Sequence, residues 1–275
     1  MTTSTTAVRG TARTAARRVA RSRRLAAALT LAATVPLLAC CSSADTSRPS
    51  TDAAPPSGTV VDEPVPDSIA NLPLVDQHGH RFTLASLRGK TVVLGDFLTL
   101  CQEVCPLTSV NLRDVARAVR RHGLSGDVEV VEATVDPARD TVPRLAAYEK
   151  LFGAEEDWTL ATGDHRALDR LWAFLGVDQQ KAAEDVSPAP TDWWTGAPLT
   201  YDVHHQDVVY VIDAEGHARW VDDGTPDTMG EQPSGPMLRF LNDEGRHNLA
   251  SPTEPTWTVE DVERAVTYVS GKSLD

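Results

Sequence analysis

The sequence has few of the features that mark membrane-spanning or nucleic-acid-binding proteins. Its longest apolar run, residues 25–38, would cover about 21 Å as a helix, which is less than a hydrocarbon core of roughly 30 Å. The first 24 residues contain no acid and seven arginines. The remainder therefore carries 19 of the 26 basic side chains against 39 acidic ones, a net charge of −20. Because phosphate backbones repel such a surface, no nucleic-acid partner is predicted.

The N-terminus has the organisation of an export signal. An arginine-rich stretch precedes the apolar run, and the run ends in Leu37-Leu38-Ala39-Cys40, which resembles a bacterial lipobox. We therefore predict that residues 1–39 are a lipoprotein signal peptide and that Cys40 is lipidated. The protein would then lie on the extracytoplasmic face of the cell membrane, held by a lipid anchor. Plain signal cleavage, which would leave Cys40 and Cys41 as free thiols, is the alternative.

The next segment, residues 40–70, is rich in Ser, Thr, Asp, Ala and Pro. Such a composition buries too little apolar surface to offset the entropy lost on ordering. We therefore predict a flexible membrane tether over 40–70 and a folded domain over 71–275. The folded part has no second apolar run long enough to span a bilayer.

Within the folded part, apolar β-rich runs alternate with helical patterns. Residues 91–98 and 128–135 have the composition of strands buried on both faces, and Pro106 begins a helical pattern. A short helix over 143–152 ended by Gly153, a hairpin near 208–221, and an amphipathic helix near 259–269 with Thr258 as its N-cap are also predicted. This order indicates an α/β domain with a mixed β-sheet flanked by helices. Residues 178–200 and 222–256 fit the scheme poorly and are predicted to be two loop insertions.

The only cysteines of the folded part, Cys101 and Cys105, lie between a strand and a helix, and we predict both on the connecting loop because Pro106 disfavours helical backbone at the residue before it. A thiol at this place is close to the positive end of the helix and to unpaired N–H groups, both of which favour thiolate. The pair could form a structural disulfide, a redox-active dithiol or a soft-metal site. A structural disulfide enclosing only three residues would stabilise the fold little, because the entropic benefit falls with loop length.

Four motifs, in order along the chain, resemble those of the Sco/SenC family of copper proteins, which have a thioredoxin-like fold. They are FLTLCQEVCP at 97–106, VDPARDT at 135–141, WTLATG at 158–163 and YDVHHQDVVYVID at 201–213. In the last motif the family has a metal-binding histidine five residues before a strand tyrosine. Counting back from Tyr210 gives His205, whereas its neighbour His204 occupies a position where the family usually has Asp.

The resemblance implies that Cys101, Cys105 and His205 bind a copper ion, Cu(I) or Cu(II). Thiolates suit Cu(I) and imidazole accepts either oxidation state, whereas a closed zinc site would want a fourth protein ligand. The family motif also implies that Asp136 and Asp140 support the site without binding the metal. Alternatively, Asp136 ends a strand in an ordinary turn and Asp140 caps the following helix.

The resemblance further implies a copper chaperone that delivers copper to a terminal oxidase, such as cytochrome c oxidase, and that meets an oxidase subunit or another copper chaperone. An enzyme is the competing interpretation. A thiol–disulfide oxidoreductase or thiol peroxidase of the cell envelope would use Cys101 to attack and Cys105 to resolve the mixed disulfide. A thioredoxin-like binding module without a metal is a third hypothesis.

Overall fold

The structure is a computed structural model that describes residues 56–153, 158–184 and 186–274. The predicted signal peptide 1–39, the predicted lipidation site Cys40 and most of the predicted tether lie outside the described residues. The helices are α1 Asp67–Ala70, α2 Cys105–Arg121, α3 Val142–Phe152, α4 His165–Phe174, α5 Gly235–Phe240, α6 Asp243–Ala250 and α7 Val259–Ser270.

The strands are β1 Thr59–Pro64, β2 Leu74–Asp76, β3 Arg81–Phe82, β4 Thr91–Phe97, β5 Val128–Thr134, β6 Thr159–Gly163, β7 Gln179–Ala183, β8 Tyr201–His205, β9 Val209–Ile212, β10 His217–Asp222, β11 Thr225–Pro226 and β12 Thr256–Trp257. Eight of them form one sheet in the order β1-β10-β9-β4-β5-β6-β2-β3. β4, β5 and β6 are parallel, and the other pairs of this sheet are antiparallel. The predicted mixed α/β sheet is thus confirmed.

The centre of the sheet follows from its apolar sequence. Every residue of β4 is buried, and β5 is buried except at Glu129, as expected for strands covered on both faces. Helix α7 packs against α2 and against β4 and β9. Its predicted N-cap is confirmed, because Thr258 and Asp261 form a capping box.

The start of the folded part was predicted too late in the chain. Strand β1 pairs antiparallel with β10, and Val65 and Ile69 are buried in the core. Residues 57–70 therefore belong to the sheet domain rather than to the tether. The low apolar content of this segment concealed the strand, because an edge strand is held mainly by backbone pairing with its neighbour.

The two predicted insertions contain secondary structure. In the segment 178–200, β7 forms an antiparallel ladder with β8. The segment 222–256 contains α5, α6 and the start of a short parallel ladder between β11 and β12. These elements are too short to give a periodic sequence pattern, so they depend on tertiary contacts for their stability. Over the described residues, the helices are all too short or too polar to cross a bilayer.

Candidate metal centre

The two cysteines lie at the junction between the end of β4 and the start of α2. The loop of residues 98–104, hereafter the cysteine loop, carries Cys101, and Cys105 is the first residue of α2. Both residues had been predicted to lie on the connecting loop because Pro106 disfavours helical backbone at the preceding residue. That bias does not hold here, and Cys105 lies within the first helical turn. Cys105 is fully buried, Cys101 is partly exposed, and both are free thiols.

The local backbone favours a thiolate at Cys101. The N–H groups of Glu103 and Cys105 donate to Cys101 Sγ at 3.5 and 3.4 Å. A hydrogen bond with the Cys105 thiol lowers the pKa of Cys101 most; burial opposes it, the charge of His205 and the two N–H groups assist, and the net pKa is about 7. Burial raises the pKa of Cys105 well above its ordinary value. Of the two thiols, Cys101 is therefore the one that loses its proton more readily.

His205, at the end of β8, completes a group of three soft or borderline donors. Its Nε2 atom lies 3.5 Å from Cys105 Sγ, and only 6% of its side chain is exposed. His204 instead has a side chain that is 67% exposed, 3.9 Å from Asp202. The structure therefore places His205, rather than His204, against Cys105. This agrees with alternation along a strand, which sends successive side chains to opposite faces.

Sequence reasoning missed Asp96, which holds His205 in place. Asp96 is a fully buried residue of β4; its Oδ2 lies 2.7 Å from His205 Nδ1, and its Oδ1 accepts from the Val208 N–H at 2.8 Å. Burial would lower the pKa of His205, but the hydrogen bond with Asp96 and its charge raise it to about 10. With Nδ1 engaged by a carboxylate, Nε2 is directed to Cys105 Sγ. The available signal was one acid within the apolar run TVVLGDFL.

A second missed carboxylate, Asp207, lies in the loop between β8 and β9. Its Oδ2 accepts from Thr108 Oγ1 at 2.6 Å, and its Oδ1 is excluded from solvent with no hydrogen-bond partner among the described residues. Burial and the charge of Asp96 raise the pKa of Asp207 to about 8. No sequence pattern distinguishes Asp207, which follows His205 by two positions, from other acidic residues.

Asp136 and Asp140 lie in the segment after β5. They contact residues near Cys101 and at the start of β8 rather than the metal-binding side chains themselves. Asp140 accepts hydrogen bonds from the backbone and side chain of Thr99, two residues before Cys101. Asp136 accepts from Tyr201 Oη at 3.1 Å, at the start of the strand that carries His205. The capping alternative for Asp140 is wrong, because the N-cap of α3 is Thr141.

The segment 222–256 braces the outer side of the cysteine loop. Gln102 Nε2 donates to the Phe240 carbonyl at 2.8 Å, and the Asn242 N–H donates to the Gln102 carbonyl at 3.1 Å. Asn242 Nδ2 also donates to Glu103 Oε1 at 2.9 Å. The two residues that start the Cys-x-x-x-Cys spacer are thus held by backbone and side-chain groups more than 130 residues away.

The segment 178–200 contacts the cysteine loop at a second place, near its start. Trp193 Nε1 donates to the Thr99 carbonyl at 2.7 Å. Its neighbour Asp192 forms a buried ion pair with Arg144 of α3, with Nη2 2.7 Å from Oδ2. Burial acts to raise the pKa of Asp192, but the hydrogen bonds from Arg144 and from the 194–195 turn hold it well below its ordinary value. Both predicted insertions therefore position the cysteine loop.

A cavity of about 510 Å³ lies above the cysteines, between the cysteine loop, the β7–β8 hairpin and α6. Both cysteines, His205 and Asp207 line it, together with the acidic side chains of Glu103, Glu184, Asp202 and Glu244. Two thiols and an imidazole suit a soft or borderline metal ion. Over the described residues, no group of three Cys, His, Asp or Glu side chains stands at metal-ligand spacing.

Fold and site together define a thioredoxin-like protein with a dithiol and a histidine at one cavity. The SCO1/SenC family model matches residues 64–228, which is more than half of the chain, and the chain belongs to that family. The family and the thioredoxin-like fold inferred from the four motifs are thereby confirmed.

The individual relatives have low sequence identity to this chain. The chain is 31% identical over 117 residues to the "Putative copper-binding protein" of Stutzerimonas stutzeri, covering 42% of this chain and 56% of that one. It is 26% identical over 108 residues to the "SCO1 protein homolog" of Bacillus subtilis, covering 38% and 54%. The chain thus spans little more than half the length of these relatives. Arabidopsis thaliana ScoI with copper bound is 26% identical, with a TM-score of 0.45, over 55% of this chain and 85% of that one.

Proposed function

We propose that this protein is a copper chaperone that binds one copper ion through Cys101, Cys105 and His205 and delivers it to a terminal oxidase of the cell membrane. The observation that carries the proposal is the approach of His205 Nε2 to Cys105 Sγ at 3.5 Å, in a chain of the SCO1/SenC family. The copper-binding description of the Stutzerimonas stutzeri relative supports the same cargo.

Copper uptake requires two of the three donors to lose a proton, because the pKa of the Cys105 thiol lies well above its ordinary value and the pKa of His205 is about 10. Copper binding needs deprotonated sulfur and a neutral imidazole nitrogen, and the low pKa of Cys101 provides the first thiolate near neutral pH. Bound copper would displace the proton from the Cys105 thiol and the proton from His205 Nε2, because both groups are otherwise protonated at neutral pH. Since thiolate is a soft ligand, the site favours copper over the harder divalent ions. Oxidation to a disulfide would remove both sulfur ligands and prevent loading.

A titration of reduced, metal-free protein with Cu(I) and with Cu(II) tests the proposal. We expect one tight equivalent of each ion, with a thiolate-to-copper absorption band for Cu(II). The Cys101→Ser, Cys105→Ser variant should lose that equivalent. A reduced protein with native circular dichroism and no tight copper site would overturn the proposal.

His205→Ala separates the ligand role of the histidine from the chemistry of the thiols. It should weaken copper binding greatly and leave disulfide exchange nearly intact, because exchange requires only the two cysteines. His204→Ala is the matched control, and its copper affinity should equal that of the wild type. If His204→Ala were the variant that lost affinity, the ligand assignment would be wrong.

The proposed site of action is the extracytoplasmic membrane surface, with Cys40 as the lipidated residue. We expect Cys40→Ser to move the protein from the membrane fraction to the soluble fraction. To test whether a terminal oxidase is the recipient, the gene for this protein can be deleted. We expect the deletion to lower terminal oxidase activity. Wild-type protein should restore that activity, and Cys101→Ser should not.

Thiol–disulfide exchange is a second candidate function, favoured by the contrast between the two cysteines. Cys101 has a pKa of about 7, and Cys105 is buried and protonated. Cys101 thiolate would attack a substrate disulfide and release one substrate thiolate. Cys105 would then displace the second sulfur, so that the substrate is reduced by two electrons and the pair becomes a disulfide. Reduction of oxidised glutathione by the wild type, absent in Cys101→Ser, would support this activity.

A further inference from the structure

Asp207 has a carboxylate oxygen with no partner at the edge of the proposed copper site. Its Oδ2 is held by Thr108 Oγ1, but its Oδ1 is shielded from solvent and has no hydrogen-bond donor within the described ranges. Leaving a buried polar atom without a partner is unfavourable, and more so when the group is charged. A bound ion or a water molecule would satisfy an unpaired buried atom of this kind.

The surroundings of Asp207 indicate what that partner is. Asp207 lines the same cavity as Cys101, Cys105 and His205. Thr108, which holds its other oxygen at 2.6 Å, lies three residues after Cys105 in α2, and His205 is two residues before Asp207 in the chain. Asp96, the other buried acid nearby, is already used by His205 and the Val208 N–H.

We propose that Asp207 Oδ1 is a fourth ligand to the metal ion held by Cys101, Cys105 and His205, and that it makes the site favour divalent over monovalent copper. The inference rests on the copper binding proposed above. Carboxylate oxygen is a hard donor that suits divalent ions and contributes little to Cu(I), which two thiolates satisfy.

Charge balance leads to the same preference. Two thiolates and a neutral imidazole leave one excess negative charge around Cu(I) and none around Cu(II). Adding the Asp207 carboxylate brings the Cu(I) complex to two excess negative charges and the Cu(II) complex to one. In a site of low dielectric constant the more highly charged complex is disfavoured, so the carboxylate discriminates against the monovalent ion.

The test compares wild-type and Asp207→Asn protein as full chains, reduced and metal-free. Asparagine keeps the size of the side chain but is a much weaker ligand. We expect the Kd for Cu(II) to rise about tenfold or more and the Kd for Cu(I) to change by less than about threefold. Co(II) provides a second readout, because its visible absorption distinguishes four-coordinate from other geometries and should change in the variant.

Asp202→Asn is the matched control, since it removes the same charge from the wall of the same cavity. We expect it to leave the Cu(II) affinity and the Co(II) spectrum unchanged. The inference is wrong if Asp207→Asn leaves both unchanged, if Asp202→Asn weakens Cu(II) equally, or if Cu(I) and Cu(II) affinities fall together with the melting temperature. A wild-type protein that binds neither copper ion would overturn the proposed function, and this inference with it.

Discussion

Gly245 of α6 lies against the carbonyl group of Gln102, so closely that a Cβ atom at position 245 would overlap the carbonyl oxygen. Gln102 is the first residue between the two cysteines. Gly245 has no positive φ angle that would require glycine, so close approach alone explains the residue. The brace formed by the segment 222–256 is therefore in direct backbone contact with the spacer of the candidate metal centre.

Gly245→Ala should displace the cysteine loop. In an unhindered helix this change would stabilise the protein by about 1 kcal/mol, whereas overlap with a backbone atom costs about 1–3 kcal/mol. We expect a net loss of stability together with a changed reduction potential of the Cys101/Cys105 pair. Gly235→Ala is the control, since its nearest neighbour would be a flexible arginine atom at 3.5 Å. Equal potentials in both variants would show that the brace does not position the cysteines.

Trp193→Phe should weaken the brace formed by the segment 178–200. It removes the donor to the Thr99 carbonyl, which lies in a buried residue two positions before Cys101. We expect a loss of about 1 kcal/mol in the free energy of unfolding and a higher Kd for copper. Trp194→Phe is the control because that side chain is 45% exposed, and denaturant unfolding of both variants gives the comparison. A smaller loss for Trp193→Phe than for Trp194→Phe would contradict the assigned role.

The central sheet could be predicted from sequence because its signal is local. The runs that form β4 and β5 are rich in Val, Leu and other β-forming apolar residues, and Gly153 ends α3 with a φ angle of 58° as the sequence indicated. Strand β1 escaped prediction because its sequence, TVVDEP, is mostly exposed and its pairing partner lies about 150 residues later. Pairing between strands that are far apart in the chain cannot be recognised from a short stretch of sequence.

The residues of the candidate site likewise fall into those that a local motif predicts and those that depend on tertiary contacts. The spacing of Cys101 and Cys105 and the position of His205 are motif features that can be read directly. Asp96 was visible as an acid in an apolar strand, but its partner is set by the antiparallel pairing of β4 with β9, which brings position 205 beside it. Gln102 and Asn242 are 140 positions apart, and their contact likewise depends on the tertiary fold.

Alkylation should distinguish the two thiols. In reduced, metal-free protein we expect iodoacetamide to modify Cys101 with a midpoint near pH 7, and Cys105 far more slowly, because Cys105 is buried with a strongly raised pKa. Cys105→Ala should move the Cys101 midpoint upward, since the hydrogen bond from Cys105 is the main cause of its low pKa. Peptide mapping after timed alkylation measures both sites. An unchanged midpoint in Cys105→Ala would exclude that hydrogen bond as the cause.

The Asp96–His205 pair should make the stability of the metal-free protein depend on pH. The folded-state pKa of His205 is about 10, against about 6.5 in an unfolded chain. A raised pKa stabilises the fold fully below pH 6.5, and this contribution is lost as the pH rises through 10. Asp96→Asn should therefore cost most at pH 6, roughly 3–5 kcal/mol, and less at pH 10. Urea unfolding at the two pH values gives the difference, with Asp202→Asn as an exposed control; equal losses at both values would contradict the pairing.

Truncation tests where the folded domain begins. A chain starting at residue 71 lacks β1, the buried side chains of Val65 and Ile69, and the hydrogen bond from Trp220 Nε1 to the Ser57 carbonyl. It would leave β10 as an unpaired edge beside the fully buried Trp220. We expect the chain 71–275 to unfold at lower denaturant concentration than the chain 56–275 and to aggregate more readily, because an uncovered sheet edge pairs with other chains. Equal midpoints for the two truncations would place the start of the cooperative unit after β1, as the sequence alone had indicated.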